Sequence, residues 1–321
     1  LEILSNSIMK WRLTMSVMKA DLILTGGSIL TVDKNNSIHE AVAIINNKIA
    51  QVGSSEEIKK LQGPETKIIE LCGRSVIPGF IESHIHTAVM GVNALAIDCR
   101  PSAVDSISDI QEAIFERTKN TPKGEWIRGW GYNDQYLKEQ RNPNKWDLDK
   151  VAPDHPVMLT RVCNHISAHN SRSIEIANIT NTNEYSHETF TRENGEISGV
   201  MLEEAHMAMF KAALLKEKEI VDGMVAANEM LLKEGITSIH DSGGYGPIQM
   251  RAIQNAVSQK KFKIRLYSMI FSFAENLKFV DSYLNVGIHS GFGDEHFKLG
   301  PVKLMIDGSS SGPTAATIEP Y

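Results

Sequence analysis

Two histidines, His84 and His86, end the apolar run Val76-Ile77-Pro78-Gly79-Phe80-Ile81-Glu82-Ser83-His84-Ile85-His86. In an extended strand, residues two apart point to the same face. Both imidazoles can therefore reach one metal ion, while Ile85 turns to the opposite packing layer. Neutral imidazole binds zinc and similar ions readily, and a catalytic centre keeps an open position for water beside its protein ligands. Two unrelated histidines at a strand end are the alternative for a bare H-x-H pair, so the surrounding residues must decide.

The elements that would position this pair fall into two textures. From Asp21 to about residue 77 the chain reads as strands and turns. Asp21–Thr25 leads through Gly26-Gly27 into Ser28–Asp33, which reads as a hairpin. A second hairpin is Ala41–Ile45 and Lys48–Gly53 around Asn46-Asn47. A short helical piece near Ser55–Gln62 precedes a strand at Lys67–Leu71. This all-β unit is too small to bury much core alone. Beyond His86, Ser108-Asp109-Ile110-Gln111 has capping-box spacing and opens a helix with Ile107, Ile110, Ile114 and Phe115 at helical intervals. An aromatic, loop-rich stretch, Trp126–Tyr132, and a strand at Val157–Thr160 come next.

From about residue 217 helices and strands alternate. The helix Glu219–Glu234 is stopped by Gly235. The strand Ile236–Asp241, a helix opened by Pro247, the strand Ile264–Ile270, a helix near Ala274–Asn285 and the strand Val302–Asp307 complete the series. Such alternation implies parallel βαβ units. Counting the His84/His86 strand, there are four barrel-type strands where a closed barrel needs eight. Residues 100–210 break the rhythm and read as an insertion after the first strand. The chain is therefore expected to be the N-terminal part of a longer protein, inactive by itself because a half-barrel leaves two open sheet edges.

The 321 residues carry a net charge of -6, which argues against a nucleic-acid surface. Cys72, Cys99 and Cys163 form no C-x-x-C pair and are odd in number. A disulfide framework is not expected, and a reducing, cytoplasmic setting is. No apolar run suggests a membrane span, so no membrane partner is expected. Residues 1–17 precede Met18 and read as an extension, non-native or disordered; 18–77 form the β unit and 78–321 the βα unit.

The sequence resembles the amidohydrolase superfamily, in the branch of the N-substituted formamide deformylases and YtcJ-type proteins. Four segments carry the likeness: Ala20–Gly27 with Pro78–His86; Arg161-Val162-Cys163-Asn164-His165 with Asn170-Ser171; Asn194-Gly195-Glu196, Gly199–Glu203 and Glu234–Asp241; and Val302–Ser309. The resemblance implies a (β/α)8 TIM-type barrel with a small N-terminal β-sandwich. It implies one or two divalent metals at the barrel mouth, zinc first with iron or manganese as alternatives. His84 and His86 match first-strand ligands, and Lys303 matches a lysine that many members carboxylate to bridge two metals. A carbamate presents anionic oxygens where an ammonium would repel a cation; otherwise Lys303 is a strand-end lysine snorkelling to solvent. The family's further histidines and its catalytic aspartate would lie beyond Tyr321, so no catalytic residue is assigned within the chain. Glu82 stands where aspartate is commoner, and Gly308–Thr314 lacks an arginine often found there.

Four more residues are candidates for substrate contact. His165 lies in a matched segment, with a loop histidine bonded to backbone as its alternative. Trp130 and Tyr132 suit a pocket wall or a core equally. Asp241 ends a strand where loops build active sites, or caps the segment after it. Glu203 reads as favouring the N-terminus of the next helix, and His206 and His289 read as ordinary helical residues. The implied activity is hydrolysis of a carbon–nitrogen bond other than a peptide bond, in a small amide or formamide. Alternatives are a non-catalytic regulatory protein on the same scaffold, and a hydrolase or deaminase of a cyclic substrate. Self-association into a homo-oligomer is compatible with all three.

Overall fold

The computed structural model describes residues 18–179, 190–273, 276–307 and 316–319. The extension 1–17 and the run 308–314 lie outside these described residues. Contacts divide the chain into two compact units, Leu1–Gly79 and Phe80–Tyr321.

The first unit contains β1 (Leu22–Thr25), β2 (Ser28–Leu30), β3 (Ile38–His39), β4 (Ala41–Ile45), β5 (Lys48–Gly53), α1 (Ser55–Lys59), β6 (Lys67–Glu70) and β7 (Ser75–Val76). They form a four-stranded sheet in the order β5-β4-β1-β6 and a three-stranded sheet in the order β3-β2-β7. Ile29, Val42 and Leu71 form a shared buried cluster. The hairpin expected at Gly26-Gly27 does not form. β1 pairs with β4 and β6, whereas β2 leaves for the other sheet. The glycines are where the chain changes sheet: Gly26 has φ +73°, and a side chain at Gly27 would meet the Arg74 carbonyl at 2.2 Å. The β4–β5 hairpin forms as the pattern requires.

The second unit opens with β8 (Phe80–Ile85) and α2 (Thr87–Leu95), followed by β9 (Ile97–Asp98), α3 (Ile107–Thr118), β10 (Ile127–Tyr132), α4 (Lys145–Asp149), β11 (Val157–Arg161), β12 (Ile166–His169), α5 (Ser171–Ile176), β13 (Phe190–Glu193) and β14 (Glu196–Leu202). Then come α6 (Glu203–Ala212), α7 (Glu217–Lys233), β15 (Ile236–Asp241), α8 (Pro247–Ser258), β16 (Arg265–Ile270), α9 (Asn276–Val286) and β17 (Phe297–Val302). Two sheets result, and the unit is a mixed α/β structure.

One is a four-stranded, wholly parallel sheet in the order β17-β16-β15-β8, as the βα rhythm requires. Its helices bury Ile220, Met224 and Ile253 against Ile239 and Leu266. The other is a six-stranded sheet, β13-β14-β12-β11-β10-β9, built from the region read as an insertion. Trp126–Tyr132 is thus mostly a strand, β10, paired in parallel with β9 and β11. Its residues Ile127, Gly129 and Tyr132 are buried beside α3, whose Ile110 and Ile114 fill the same core.

Two boundaries differ from expectation. The capping box of α3 is set by Ser106, not Ser108: the Ser106 hydroxyl accepts from the Asp109 amide, and the Asp109 carboxylate accepts from the Ser106 amide. The last strand is Phe297–Val302 rather than Val302–Asp307. β16 ends at Ile270, whose partner is Val302, so later residues have no strand to pair with. The apolar run Leu304, Met305 and Ile306 that suggested a strand is exposed, Ile306 at 96%. Lys303 therefore sits just past a strand end.

Candidate metal centre

His84 is the penultimate residue of β8, and His86 is the N-cap of α2. The corner between strand and helix is held by three consecutive residues at the end of β15. The Ser242 amide donates to the Ile85 carbonyl at 2.6 Å. His86 Nδ1 lies 2.7 Å from the Gly243 carbonyl, and the Thr87 amide donates to Asp241 Oδ1 at 2.9 Å. A carbonyl only accepts, so His86 carries its proton on Nδ1 and keeps a bare lone pair on Nε2. Such an outer partner is how a metal-binding imidazole is commonly fixed in tautomer and orientation.

That lone pair faces Lys303, whose Nζ is 3.1 Å from His86 Nε2 and 4.8 Å from the centre of the Phe271 ring. Burial first, then the Lys303 charge, depress the pKa of His86. Burial likewise lowers that of Lys303. Both changes favour neutral bases over cations. The rings of His84 and His86 stand edge to face, 5.7 Å apart, and both line a cavity of about 620 Å³.

The expected site residues separate into those the structure gathers and those it does not. His86 lies beside Lys303 on one side and faces the ring of His84 on the other. Trp130 is on the cavity wall, its indole N–H donating to Asn164 Oδ1 at 3.1 Å. Tyr132 is a correction: it is fully buried in the core cluster, with its hydroxyl donating to Asn142 at 3.0 Å. It lies just beyond the register break between Trp130 and Tyr132, which turns it inward. Asp241 is a correction as well. It is wholly buried, and besides Thr87 it accepts from Gln249 at 2.7 Å and Ser268 at 3.3 Å. It ties strand ends together instead of facing the cavity. Burial raises its pKa to about 6. His165 Nδ1 is 3.0 Å from Glu203, a side-chain pairing and not the backbone bond of its alternative reading.

His206, read from sequence as an ordinary helical residue, is buried and lines the cavity with Met207 and Phe210. The available signal was the i, i+4 pairing of His206 with Phe210 on α6. Among the described residues no group of three histidine, cysteine, aspartate or glutamate side chains converges to hold a metal. The donor set is two imidazoles and a lysine. It fits a divalent ion in its chemistry: one imidazole nitrogen is bare and held in place, and the amine beside it is pushed toward the neutral form that can take up carbon dioxide.

A parallel sheet whose first strand delivers two histidines to a cavity defines a class, and the comparisons identify it. Residues 67–321 match the amidohydrolase family, and the chain belongs to that family. It is 32% identical over 312 residues to the amidohydrolase YtcJ of Bacillus subtilis, covering 95% of this chain and 57% of that protein. It is 31% identical over 159 residues to the N-substituted formamide deformylase of Arthrobacter pascens, covering 50% of this chain and 29% of the enzyme. In fold it is similar to a metal-dependent hydrolase of Pyrococcus horikoshii, with a TM-score of 0.73, 24% identity, and coverage of 91% of this chain and 56% of that one. The match thus spans little more than half the length of the YtcJ protein and of the Pyrococcus hydrolase, and less than a third of the deformylase. No helix among the described residues is long and apolar enough to cross a membrane.

Proposed function

We propose that this chain is the N-terminal part of a metal-dependent amidohydrolase that cleaves a carbon–nitrogen bond other than a peptide bond in a small amide or N-substituted formamide. The observation that carries the reading is the approach of Lys303 Nζ, at 3.1 Å, to the bare Nε2 of His86, a residue that lines a substrate-sized cavity. His84, His86 and Lys303, the last as its carbamate, would hold the ion, with further donors coming from outside the described residues. Zinc is the ion expected, with iron or manganese as alternatives. When bound, the metal would polarise the scissile carbonyl and make water at the site acidic enough to react near neutral pH.

The protein's own part is orientation. Gly243 holds the His86 tautomer, and Asp241 fixes the backbone on which His86 turns. Trp130, Phe210 and Phe273 line the cavity and offer aromatic surface to an apolar substituent. We read the four-stranded parallel sheet as the first half of a (β/α)8 barrel. Its edge strand β8 exposes Phe80 at 56% and Ile81 at 66%, the kind of apolar edge that barrel closure removes. The two packed sheets of the first unit we read as part of a β-sandwich.

The test is metal analysis of the purified protein together with hydrolysis of a panel of N-substituted formamides and simple amides by the longer natural protein. Bound zinc, iron or manganese that is lost with His86→Ala, and hydrolysis lost with it, is expected. Metal-free protein, or His84→Ala and His86→Ala variants with full activity, would overturn the reading.

A further inference from the structure

The six-stranded sheet sends the ends of three parallel strands to the cavity, and the metal centre uses none of them. β9 and β11 flank β10 and run parallel to it, so their carboxyl ends share one edge of the sheet. The crevice outside such strand ends is where open α/β sheets bind ligands. In register, Trp130 pairs with Asp98 on one side and with Thr160 on the other. All three residues line the cavity, and so does Arg100, just past Asp98.

Arg100 is clamped by its own strand end. Its Nε donates to Asp98 Oδ1 at 2.9 Å, its Nη2 to Oδ2 at 2.7 Å, and its backbone amide to Oδ1 at 3.0 Å. The guanidinium holds the Asp98 carboxyl below the usual carboxylate range, so the clamp stays charged near neutral pH. The stem of Arg100 lies against Gly131. A side chain at Gly131 would meet Arg100 Cγ at 2.6 Å, and its φ of +95° suits glycine in any case.

A guanidinium presents five N–H donors in a rigid fork, with more than one edge able to grip two oxygens. Asp98 takes the edge made by Nε and Nη2. The edge made by Nη1 and Nη2 is left, and Nη1 meets no hydrogen-bond partner among the described residues. Two parallel N–H groups match the two oxygens of a carboxylate. The side chains of Arg100 and Asp98 are 55% and 43% exposed, which puts the fork at the cavity rim. A carboxylate bound there keeps part of its hydration and avoids the full cost of burying a charge. Beside the pair, Trp130 is half-buried with its indole N–H bonded to Asn164 Oδ1, which fixes the ring as a platform.

We propose that Arg100 is a specificity-determining residue for acidic substrates: the free edge of its guanidinium takes a carboxylate carried on the amide's aromatic substituent, whose ring rests on Trp130. Asp98 is a positioning residue that aims the fork. The proposal rests on the amidohydrolase reading for the scissile amide and on the strand-end geometry for the carboxylate.

The experiment measures binding of two probes to the 321-residue chain by calorimetry: 4-formamidobenzoate and N-phenylformamide, which differ by one carboxylate. The acid is expected to bind at least about tenfold tighter, the effect of a charge-assisted bidentate contact. Arg100→Ala and Arg100→Gln should both lose that preference while binding N-phenylformamide within about twofold of wild type, which also reports an intact cavity. Arg100→Lys, a point charge without a fork, should keep only part of it. Equal binding of the two probes by the wild-type chain, a preference that survives both Arg100→Ala and Arg100→Gln, or no binding of either probe would each overturn the proposal. A preference lost with Arg100 in a protein that takes up no divalent metal would instead overturn the hydrolase reading and leave this assignment standing.

Discussion

Lys303 and His86 are 217 residues apart in sequence, yet Nζ and Nε2 approach to 3.1 Å across the ends of β17 and β8. A protonated lysine would contribute a cation where a cation is to be bound. The arrangement serves a metal only if the amine is neutral or modified, and burial pushes Lys303 that way. His86→Ala and Lys303→Ala are each expected to weaken metal uptake at least about 100-fold, the upper end of what losing even an outer partner costs. Competition with a chelator measures this. A carbamate signal in carbon-13 spectra with labelled bicarbonate, absent from Lys303→Ala, would establish the modification.

Asp241 accepts three hydrogen bonds while wholly buried, so its removal strands donors from three other elements. Asp241→Ala is expected to lose about 2–4 kcal/mol of stability, since each buried donor left unpaired costs about 1–3 kcal/mol before relaxation. Asp241→Asn should cost less and yet lower metal affinity, because the corner bearing His86 loses part of its grip. Urea melts paired with metal titrations separate the two effects.

α2 and α7 touch through glycine. A side chain at Gly91 would meet the Gly223 carbonyl at 1.8 Å, and one at Gly223 would meet the Val92 amide nitrogen at 2.8 Å. Gly91→Ala should therefore destabilise by about 3 kcal/mol, the upper range for overpacking, and weaken metal binding because His86 caps the same helix. Gly124→Ala is the control: it has φ +82° but open space around it, so only the smaller backbone cost, about 1 kcal/mol, is expected.

Stability should fall on acidification between about pH 6 and 4. His169 and His206 have depressed folded pKa values, about 3 and about 4, so the unfolded chain binds two protons that the folded chain refuses. Asp241 has a raised value, about 6, so the folded chain there binds one proton that the unfolded chain has released. Among these three groups the net uptake on unfolding is one proton, and His86, whose pKa burial also lowers, adds to it, so the loss is at least about 1.4 kcal/mol per pH unit of acidification. Asp241→Asn removes the opposing group and should steepen the slope. Denaturant melts at pH 4.5, 5.5 and 6.5 check both slopes.

Trp130 and Tyr132 should behave oppositely. Trp130→Ala is expected to weaken binding of aromatic amides while changing stability little. Tyr132→Phe should leave binding intact and cost about 1 kcal/mol through the lost bond to Asn142. Binding titrations and urea melts on the pair distinguish wall from core.

The pairing of His84 with His86 and the parallel sheet were legible because each depends on short-range pattern. His84 and His86 share a strand end, and β15, β16 and their helices succeed one another in order. The features that could not be read depend on pairing between distant segments. β1 and β2 look like a hairpin until β4, β6 and β7 claim their edges. The apolar spacing of Val302–Ile306 suggests a strand, but β16 has no residues left to pair with it. His206 meets Ser167, 39 residues earlier and on a strand of the six-stranded sheet, a contact no local pattern announces. Lys303 was found through family resemblance, because no local pattern distinguishes it from an exposed lysine.

The cavity is assembled from two separately built frameworks, with the corner bearing His84 and His86 on the parallel sheet and Met207 and Phe210 on a helix that leads out of the other. Exchanging those two side chains would leave the three clasping bonds from Asp241, Ser242 and Gly243 untouched. A lineage carrying this scaffold could therefore reshape one wall of the cavity by rewriting one helical face, with the corner bearing His84 and His86 inherited unchanged.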